Sequence, residues 1–206
     1  MRARLEPVQT GDDLLEITVE SAWQAHRLAA QLRELPGIIE CVPAMRSVSL
    51  KSDPLRVSGL MTQLETMTYP AAEPPNTTDW IEISVSYGGT AGPDLSAVAE
   101  RLGLSQSELI DQHCAIPHRV EMIGFTPGFA YLSGVRAHLS VPRLDTARRH
   151  VPAGSIGISG AYTGIYALNG PGGWPLIGRT DHPLFDPHQD PPFRLLPGHA
   201  VRFRSI

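Results

Sequence analysis

Two arginines in the second half of the chain have the chemistry to bind an anion. Arg143 follows a proline, and Arg179 lies near the end of a glycine-rich segment. A planar guanidinium donates two parallel hydrogen bonds to a carboxylate or a phosphate, and a charged group in an apolar strand needs a partner. The structural alternative is a buried ion pair, for which the candidate acids are Asp181, Asp186 and Glu121.

A glycine-rich turn offers a second anion site. Gly88 and Gly89 follow an alternating segment and precede a helix predicted over residues 95–102. A turn that leads into a helix N-terminus presents backbone N–H groups and the positive end of the helix dipole, which favour a phosphate or a carboxylate. An ordinary strand-to-helix turn, with Pro93 at the first helical position and Asp94 compensating the dipole, explains the same residues. The segment matches neither a P-loop nor a GxGxxG fingerprint.

Other kinds of site are poorly supported. Residues 157–161 read GISGA and miss the GxSxG elbow of serine hydrolases at the last position. Residues 181–190 contain several His and Asp side chains, which are common metal ligands. The prolines in and beside this loop prevent a helix, so these side chains lack the i, i+4 spacing of a helical metal site. Cys41 and Cys114 are far apart in the sequence, so neither a disulfide framework nor a zinc site is indicated.

The overall charge excludes several partners. The formal net charge is -4 with a sequence pI near 6.0, and neither lysine nor arginine forms a run. This composition argues against nucleic acid and against an anionic membrane surface. Residues 148–150, Arg-Arg-His, are the nearest to a basic patch and are typical of a solvated loop. No apolar run has the length of a signal peptide or a membrane span, so we expect a cytoplasmic protein.

The first part of the chain predicts a small α/β domain. The predicted elements, in the order β, α, β, β, α, span residues 14–19, 20–35, 38–42, 47–50 and 54–67. Trp23 and Leu55 are among the apolar residues at helical spacing that should face the core. This order is most of a split-βαβ unit. Because it offers no convergent polar set, a scaffold or interface role is the simplest interpretation.

A linker and a new strand follow. Residues 69–78 contain three prolines without periodicity, so we predict a linker and place the domains at 1–76 and 77–206. Residues 80–87 alternate strictly between apolar and polar side chains and predict a strand of the second domain.

The rest of the chain predicts a β-barrel. A second short helix over residues 105–113 has a capping box formed by Ser105 and Glu108. From residue 123 to residue 180, glycine or proline recurs every few residues between short runs of apolar and aromatic side chains. Such punctuation indicates tight turns between short strands, which is typical of a closed or nearly closed barrel.

Five motifs, in order, carry a resemblance to a known family. They are YGG with GPDL at 87–95, GFTPGF with YL at 124–132, VPAGS at 151–155, TGIY at 163–166, and PGGW through IGRT at 171–180. Together they resemble the family of the 5-oxoprolinase B subunit, also described as allophanate hydrolase subunit 1 or KipI-like. The resemblance implies an α+β fold, with a small N-terminal split-βαβ-like α/β domain followed by a C-terminal cyclophilin-like β-barrel. Thr90 and Ala147 replace the glutamate and the proline of the family's YGGE and TPR patterns.

The resemblance also implies a reaction and partners. It points to the B subunit of an ATP-dependent 5-oxoprolinase complex that opens 5-oxo-L-proline to L-glutamate, with ATP and Mg²⁺ as cofactors. The implied partner is the C subunit, a cyclophilin-like paralogue, in a heterodimer or heterotetramer, joined in some cases by a third protein, the A subunit. An unstrained amide resists water, whereas phosphorylation of its oxygen would give an imidate that water can attack.

Six residues are the candidates for this reaction. His113 and Arg179 would be catalytic, His113 by transferring a proton and Arg179 by binding the phosphate or carboxylate at the reacting centre. Arg143 and Thr180 would bind phosphate or carboxylate, and Gly88 and Gly89 would donate backbone hydrogen bonds. Alternatively, His113 is a residue at a helix C-terminus that compensates the dipole.

Two other functions compete with this interpretation. The KipI resemblance allows a regulatory module that inhibits a histidine kinase without catalysis of its own. A barrel of this kind also allows a prolyl isomerase, but fold alone does not carry function and the isomerase residue pattern is absent. Allophanate hydrolysis would need an amidase-type serine motif, which the sequence lacks.

Overall fold

A computed structural model of the chain describes residues 2–70 and 80–206. The chain divides into two compact units, Met1–Pro75 and Asn76–Ile206. The predicted domain boundary between residues 76 and 77, and most of the predicted linker, lie outside the described residues.

The first unit is built on a four-stranded antiparallel sheet. Its strands and helices are β1 (Arg2–Arg4), β2 (Pro7–Gln9), β3 (Leu14–Thr18), α1 (Ala22–Leu32), β4 (Ile38–Pro43), β5 (Ser47–Ser52), α2 (Val57–Thr66) and β6 (Thr68–Pro70). The sheet order is β2-β3-β5-β4, and β1 pairs separately with β6. The predicted α/β order is confirmed. The sequence missed β1, β2 and β6, because three-residue strands are too short to show a period.

The two helices of this unit bury mainly alanine, leucine and valine side chains. Ser21 caps α1 by accepting a hydrogen bond from the backbone N–H of Gln24. Trp23 is only partly buried, so its assignment to the core was wrong. Leu55 is 94% exposed, and its assignment was also wrong. It lies in a short 3₁₀ turn, Pro54–Arg56, and the apolar stripe begins only at Val57.

The second unit is a closed seven-stranded barrel. Its strands and helices are β7 (Trp80–Tyr87), α3 (Leu95–Leu102), α4 (Gln106–Ala115), β8 (His118–Ile123), β9 (Ala130–Ser133), β10 (Arg148–Val151), β11 (Ser155–Ser159), β12 (Tyr162–Ile165), β13 (Gly170–Gly172), β14 (Leu176–Arg179) and β15 (Ala200–Ser205). The barrel order is β11-β12-β9-β8-β15-β7-β14, while β10 and β13 form a separate two-stranded ribbon. The predicted barrel and the α+β class are confirmed.

Strand β7 and helix α4 follow their sequence patterns closely. Ile83 and Val85 are fully buried in the barrel core, whereas the alternate residues of β7 are exposed. The capping box of Ser105 and Glu108 is present. Helix α3 begins at Leu95, so Pro93 precedes the helix instead of opening it.

Gly92 lets the turn between β7 and α3 lie against β14. Its N–H donates to the carbonyl of Gly88 over 2.8 Å, and the N–H of Asp94 donates to the carbonyl of Leu176 over 2.9 Å. A Cβ atom at position 92 would lie 2.0 Å from the carbonyl oxygen of Ile177. Only glycine fits there without a backbone shift.

The substitution Gly92→Ala should therefore destabilise the second unit. We expect the free energy of unfolding to fall by about 2 kcal/mol or more, because the added methyl group overlaps backbone atoms. Urea unfolding followed by circular dichroism measures the change. Gly170→Ala is the matched control, since a Cβ there meets nothing within 4 Å. Equal stability of the two variants would contradict this packing.

Candidate functional site

An aromatic cluster covers the outer face of the barrel at β9 and β12. Ala130 and Leu132 belong to the barrel core, and alternation along β9 places Tyr131 on the opposite face. The ring centroids of Phe129 and Tyr131 are 4.7 Å apart, and those of Phe129 and Tyr166 are 4.9 Å apart. Both pairs meet edge to face, which is a favourable aromatic geometry.

Glycines in the barrel wall make room for these rings. A Cβ atom at Gly164 would lie 2.7 Å from Phe129 Cζ and 2.8 Å from Trp174 Cζ3. A Cβ atom at Gly157 would lie 2.9 Å from Trp174 Cβ. The glycine density that predicted turns therefore also creates a surface on which an aromatic layer can pack.

Two arginines influence the pKa values of tyrosines in this aromatic layer. Burial raises the pKa of the Tyr131 and Tyr166 phenols, and the positive charge of Arg143 opposes the rise at both. Arg148 has the same opposing effect on the pKa of Tyr166. The positive charge of Arg143 is therefore within electrostatic range of both phenols.

The carboxylate of Asp94 bonds to two strands that lie next to this cluster. One carboxylate oxygen pairs with Nη2 of Arg148 at 2.6 Å, and the other accepts the backbone N–H of Leu176 at 2.6 Å. The Asp94 side chain makes no capping hydrogen bond to α3. Its carboxylate is used to join β10 and β14 to the start of that helix.

A cavity of about 310 Å³ adjoins these residues. Its charged lining consists of Asp94, Arg101, Arg143 and Asp145, and Val141, Leu144 and Pro175 are among its apolar residues. Arg101 and Arg143 are exposed. Within the described residues neither forms an ion pair. The cavity thus presents two guanidinium groups that are free to bind an anion.

A second, separate cavity contains the other predicted arginine. It measures about 190 Å³ and is lined by Arg179 and Thr180 together with Glu82, Asp181 and His182 among others. Arg179 is exposed, and across the described part of the chain it takes part in no ion pair, so the predicted alternative of a buried pair is wrong. The hydroxyl of Thr180 accepts the N–H of His182 at 3.1 Å. The two cavities share no lining residue, so Arg143 does not meet Arg179 and Thr180.

The predicted backbone donors border neither of these cavities. Gly88 and Gly89 have φ values of 70° and 52°, which glycine adopts easily. The N–H of Gly88 donates to the carbonyl of Ile177 at 3.1 Å, so in this conformation it is used within the protein. Anion binding by Gly88 and Gly89 stays a prediction. Thr90, which replaces the family's glutamate, is exposed and brings no carboxylate to the turn.

His113 lies inside the barrel and is 1% exposed. Its Nε2 lies 3.1 Å from the hydroxyl of Thr163, which itself donates to the carbonyl of Gly157 at 3.0 Å. Thr163 must therefore accept the proton of Nε2, and Nδ1 accepts the hydroxyl of Tyr87 at 2.7 Å. Burial, with the nearby His118, lowers the pKa of His113 well below its usual range. This neutral, fully bonded imidazole favours a structural role, and proton transfer by His113 stays a prediction.

Several site residues were not identified from the sequence. Asp94 was interpreted only as a dipole partner and Arg148 only as part of a solvated loop, although the two form the ion pair beside the cavity. Arg101, which lines the cavity, is not among the residues that the sequence predicted for the site. The sequence signal for the aromatic cluster was the pair of aromatic residues at 129 and 131, followed by glycines in later predicted strands. It could not be interpreted without the strand pairing of Tyr131 with Gly164.

The cavity residues suit a phosphate-bearing ligand better than a metal held by the protein alone. Within residues 2–70 and 80–206, no group of three or more His, Cys, Asp or Glu side chains is arranged to hold a metal ion. Mg²⁺ that accompanies ATP takes most of its ligands from water and phosphate and needs only one or two carboxylates. Asp145 borders the cavity together with Arg101 and Arg143, so the described residues fit phosphates and their ion.

Comparisons with known proteins define the family. Residues 7–195 match the model of the carboxyltransferase domain, subdomain C and D. The chain belongs to this family. It is 39% identical to the 5-oxoprolinase B subunit of Escherichia coli O157:H7, covering 91% of this chain and 87% of that protein. It is 37% identical to the 5-oxoprolinase B subunit of Bacillus subtilis strain 168, covering 100% of this chain and 95% of that protein. The resemblance to the family of the 5-oxoprolinase B subunit is confirmed.

Solved structures share the fold. The crystal structure of TTHA0988 has a TM-score of 0.79 and 35% identity over 94% of this chain, which spans only 40% of TTHA0988. PH0987 from Pyrococcus horikoshii has a TM-score of 0.61 and 35% identity, covering 98% of this chain and 97% of that one. The K. lactis urea amidolyase, at 18% identity and a TM-score of 0.70, shows likeness of fold alone. None of the described helices is both long and apolar enough to span a membrane.

The buried hydrogen bonds of His113 predict the effect of a substitution at Thr163. Thr163→Val keeps the side-chain shape but leaves the His113 Nε2–H and the Gly157 carbonyl without their partner. We expect the free energy of unfolding to fall by about 1–3 kcal/mol. Urea unfolding measures it, with the exposed Thr146→Val as control. A stability equal to wild type would show that these bonds contribute nothing.

The lowered pKa values of His113 and His118 predict acid sensitivity. Histidines in the unfolded chain titrate near pH 6.5, so below that pH the unfolded state binds more protons than the folded state. The free energy of unfolding should fall as the pH decreases from about 7.5 to about 5.5, with a slope approaching about 1.4 kcal/mol per pH unit for each histidine.

The same urea titrations at several pH values test this slope. His113→Gln should reduce the pH dependence, whereas the exposed His150→Gln should not. A pH dependence that is the same in both variants and in wild type would rule out His113 as a source of the acid sensitivity.

Proposed function

We propose that this chain is the B subunit of an ATP-dependent 5-oxoprolinase complex, which opens 5-oxo-L-proline to L-glutamate. The proposal is supported by the relatives that carry this subunit name and match at 37–39% identity. The observation that carries it in the structure is the cavity with two unpaired guanidinium groups beside an aromatic layer. The complex would also contain the cyclophilin-like C subunit, which we call the paralogous subunit, and in some cases the A subunit. Because the reaction consumes ATP, the complex would work in the cytoplasm.

The chemistry of the substrate fits this cavity. 5-Oxoproline carries one carboxylate, and ATP supplies the phosphoryl group that activates the lactam oxygen. Arg143 and Arg101 would bind the carboxylate or the phosphates, because a guanidinium matches either group with paired hydrogen bonds. The carboxylate of Asp145 would bind the Mg²⁺ ion that accompanies the phosphates. The apolar lining and the neighbouring aromatic layer would limit the access of water before the lactam is activated.

Activity measurements should separate the two cavities. Phosphate and glutamate release from 5-oxoproline with Mg-ATP is measured for the chain alone, with the paralogous subunit, and with both other subunits. We expect turnover only in a mixture that assembles. Arg143→Ala should reduce kcat/KM for 5-oxoproline by at least about tenfold, because it removes a charge-assisted hydrogen bond.

Two further variants serve as comparisons. Arg202→Ala, an exposed arginine on β15, should leave the activity unchanged. Arg179→Ala tests the second cavity, and a larger loss there than at Arg143 would move the substrate to that cavity. No turnover in any mixture that assembles would refute the 5-oxoprolinase proposal and would leave kinase inhibition as the function to test.

A further inference from the structure

The turn between β8 and β9 holds an aromatic residue in an unfavourable backbone conformation. Phe125 has a φ of 70° and is the one non-glycine residue with positive φ in the described part of the chain. The N–H of Thr126 donates to the carbonyl of Gly124 at 2.9 Å, which makes Phe125 the central residue of a γ-turn. This form of the γ-turn is rare and strained, and for a bulky residue positive φ is an outlier.

Phe125 is also in an unfavourable environment. Its side chain is 61% exposed and touches the rest of the protein through an edge-to-face contact with Phe129, at 5.5 Å between centroids. Glycine would fit the backbone without strain, and a polar side chain would suit the exposure. The sequence has neither glycine nor a polar residue at position 125. A large aromatic ring is therefore present despite the backbone conformation and the exposure, which is characteristic of a functional position.

Other apolar side chains extend this surface. A Cβ atom at Gly128 would lie 2.6 Å from Phe185 Cβ and 2.8 Å from Ala167 Cβ, so the turn packs against both segments. Leu168, the next residue, is 38% exposed. Phe185 and Phe193 are half-buried and lie 5.3 Å apart. We refer to Phe125, Leu168, Phe185 and Phe193 as the Phe125 patch.

The chemistry of the patch favours a protein partner. Residues 124–128 read GFTPG and carry no charge, and the chain has a net charge of -4, so an anionic membrane surface is a poor match. Phe125 borders neither cavity of the second unit described above, so the ring is not placed to contact a ligand there. Exposed aromatic side chains that insert into an apolar pocket of a partner often dominate the binding energy of protein interfaces.

Related proteins indicate which partner. The curated relatives are named as one lettered subunit of an enzyme, which implies a different chain in the same assembly. In TTHA0988 the counterpart of this chain makes up 40% of one longer polypeptide, so there the same fold is joined to additional protein. Both observations favour an unlike subunit over a second copy of this chain.

We propose that the Phe125 patch is the docking surface for the paralogous subunit, with the Phe125 ring inserted into an apolar pocket of that protein. This inference rests on the proposed function. The ring lies one aromatic contact from Phe129, which in turn contacts Tyr131 and Tyr166 near Arg143. A partner docked here would therefore lie beside the candidate site.

The substitution Phe125→Gly gives opposite effects on stability and on binding. Glycine relieves the strain at positive φ, so the Tm of the isolated chain should equal or exceed that of wild type. The dissociation constant for the purified paralogous subunit, measured by titration calorimetry, should rise at least about tenfold, because the anchoring ring is lost. Phe125→Tyr keeps a ring and should bind within about threefold of wild type.

Control variants and a second readout make the test specific. Leu55→Ala removes an exposed apolar side chain of the first unit and should leave the affinity for the paralogous subunit unchanged. Phe125→Ala keeps the strained backbone and should lose affinity without a gain in Tm. The activity of the assembled mixture is measured separately, with the paralogous subunit present at concentrations that saturate each variant.

The outcomes distinguish the inference from the proposed function. Wild-type affinity for the paralogous subunit in Phe125→Gly overturns the docking surface, even if the complex is an active 5-oxoprolinase. Unchanged affinity with an altered KM for 5-oxoproline would mean that the ring contacts the small molecule instead. Self-association of the isolated chain that is lost in Phe125→Gly would assign the patch to a second copy. Failure of wild type to bind the paralogous subunit overturns the docking surface, whereas binding without 5-oxoprolinase activity removes only the proposed reaction.

Discussion

The candidate site depends on one carboxylate, that of Asp94. Its two oxygens bind Arg148 and the backbone of Leu176, each at 2.6 Å, and they hold the start of α3 against β10 and β14. Its side chain is only 16% exposed. Burying a carboxylate costs free energy unless it is paired and hydrogen-bonded, and here both oxygens have a partner. Asp94 itself lines the cavity, which lies between α3 and the segment 141–145 that precedes β10.

The barrel wall separates two environments with different chemistry. Inside, an apolar core surrounds a chain of hydrogen bonds from Tyr87 through His113 to Thr163, in which each donor has an acceptor. A buried polar network stabilises a fold only when its members are satisfied, and this one fixes the tautomer of His113. Outside, glycines at 157 and 164 lie under aromatic rings. The histidine that suits proton transfer by type is thus inside the wall, while the cavity arginines are exposed.

Local strain and exposure coincide at the β8–β9 turn. Elsewhere in the described residues positive φ is found at glycines, as backbone sterics require. At Phe125 the sequence departs from this rule and also exposes a large ring. Departures of this kind cost stability in the isolated chain, so they are best explained by a contact that the isolated chain does not make. For a family whose relatives are named as subunits, such a contact is expected.

The sequence by itself determined the elements, because periodicity, caps and turn residues act over a few positions. It predicted β7, the capping box of α4, the barrel and the order of the first unit. It failed where an element was too short to show a period, as in β1 and β2, or where an apolar residue preceded its helix, as at Leu55. Only the tertiary structure decided which residues meet. The pairing of β9 with β12 brings Tyr131 opposite Gly164, and Asp94 pairs with Arg148, 54 positions away. The same folding separates Arg143 from Arg179 and encloses His113, because side-chain type sets chemical capability whereas strand register and burial set position.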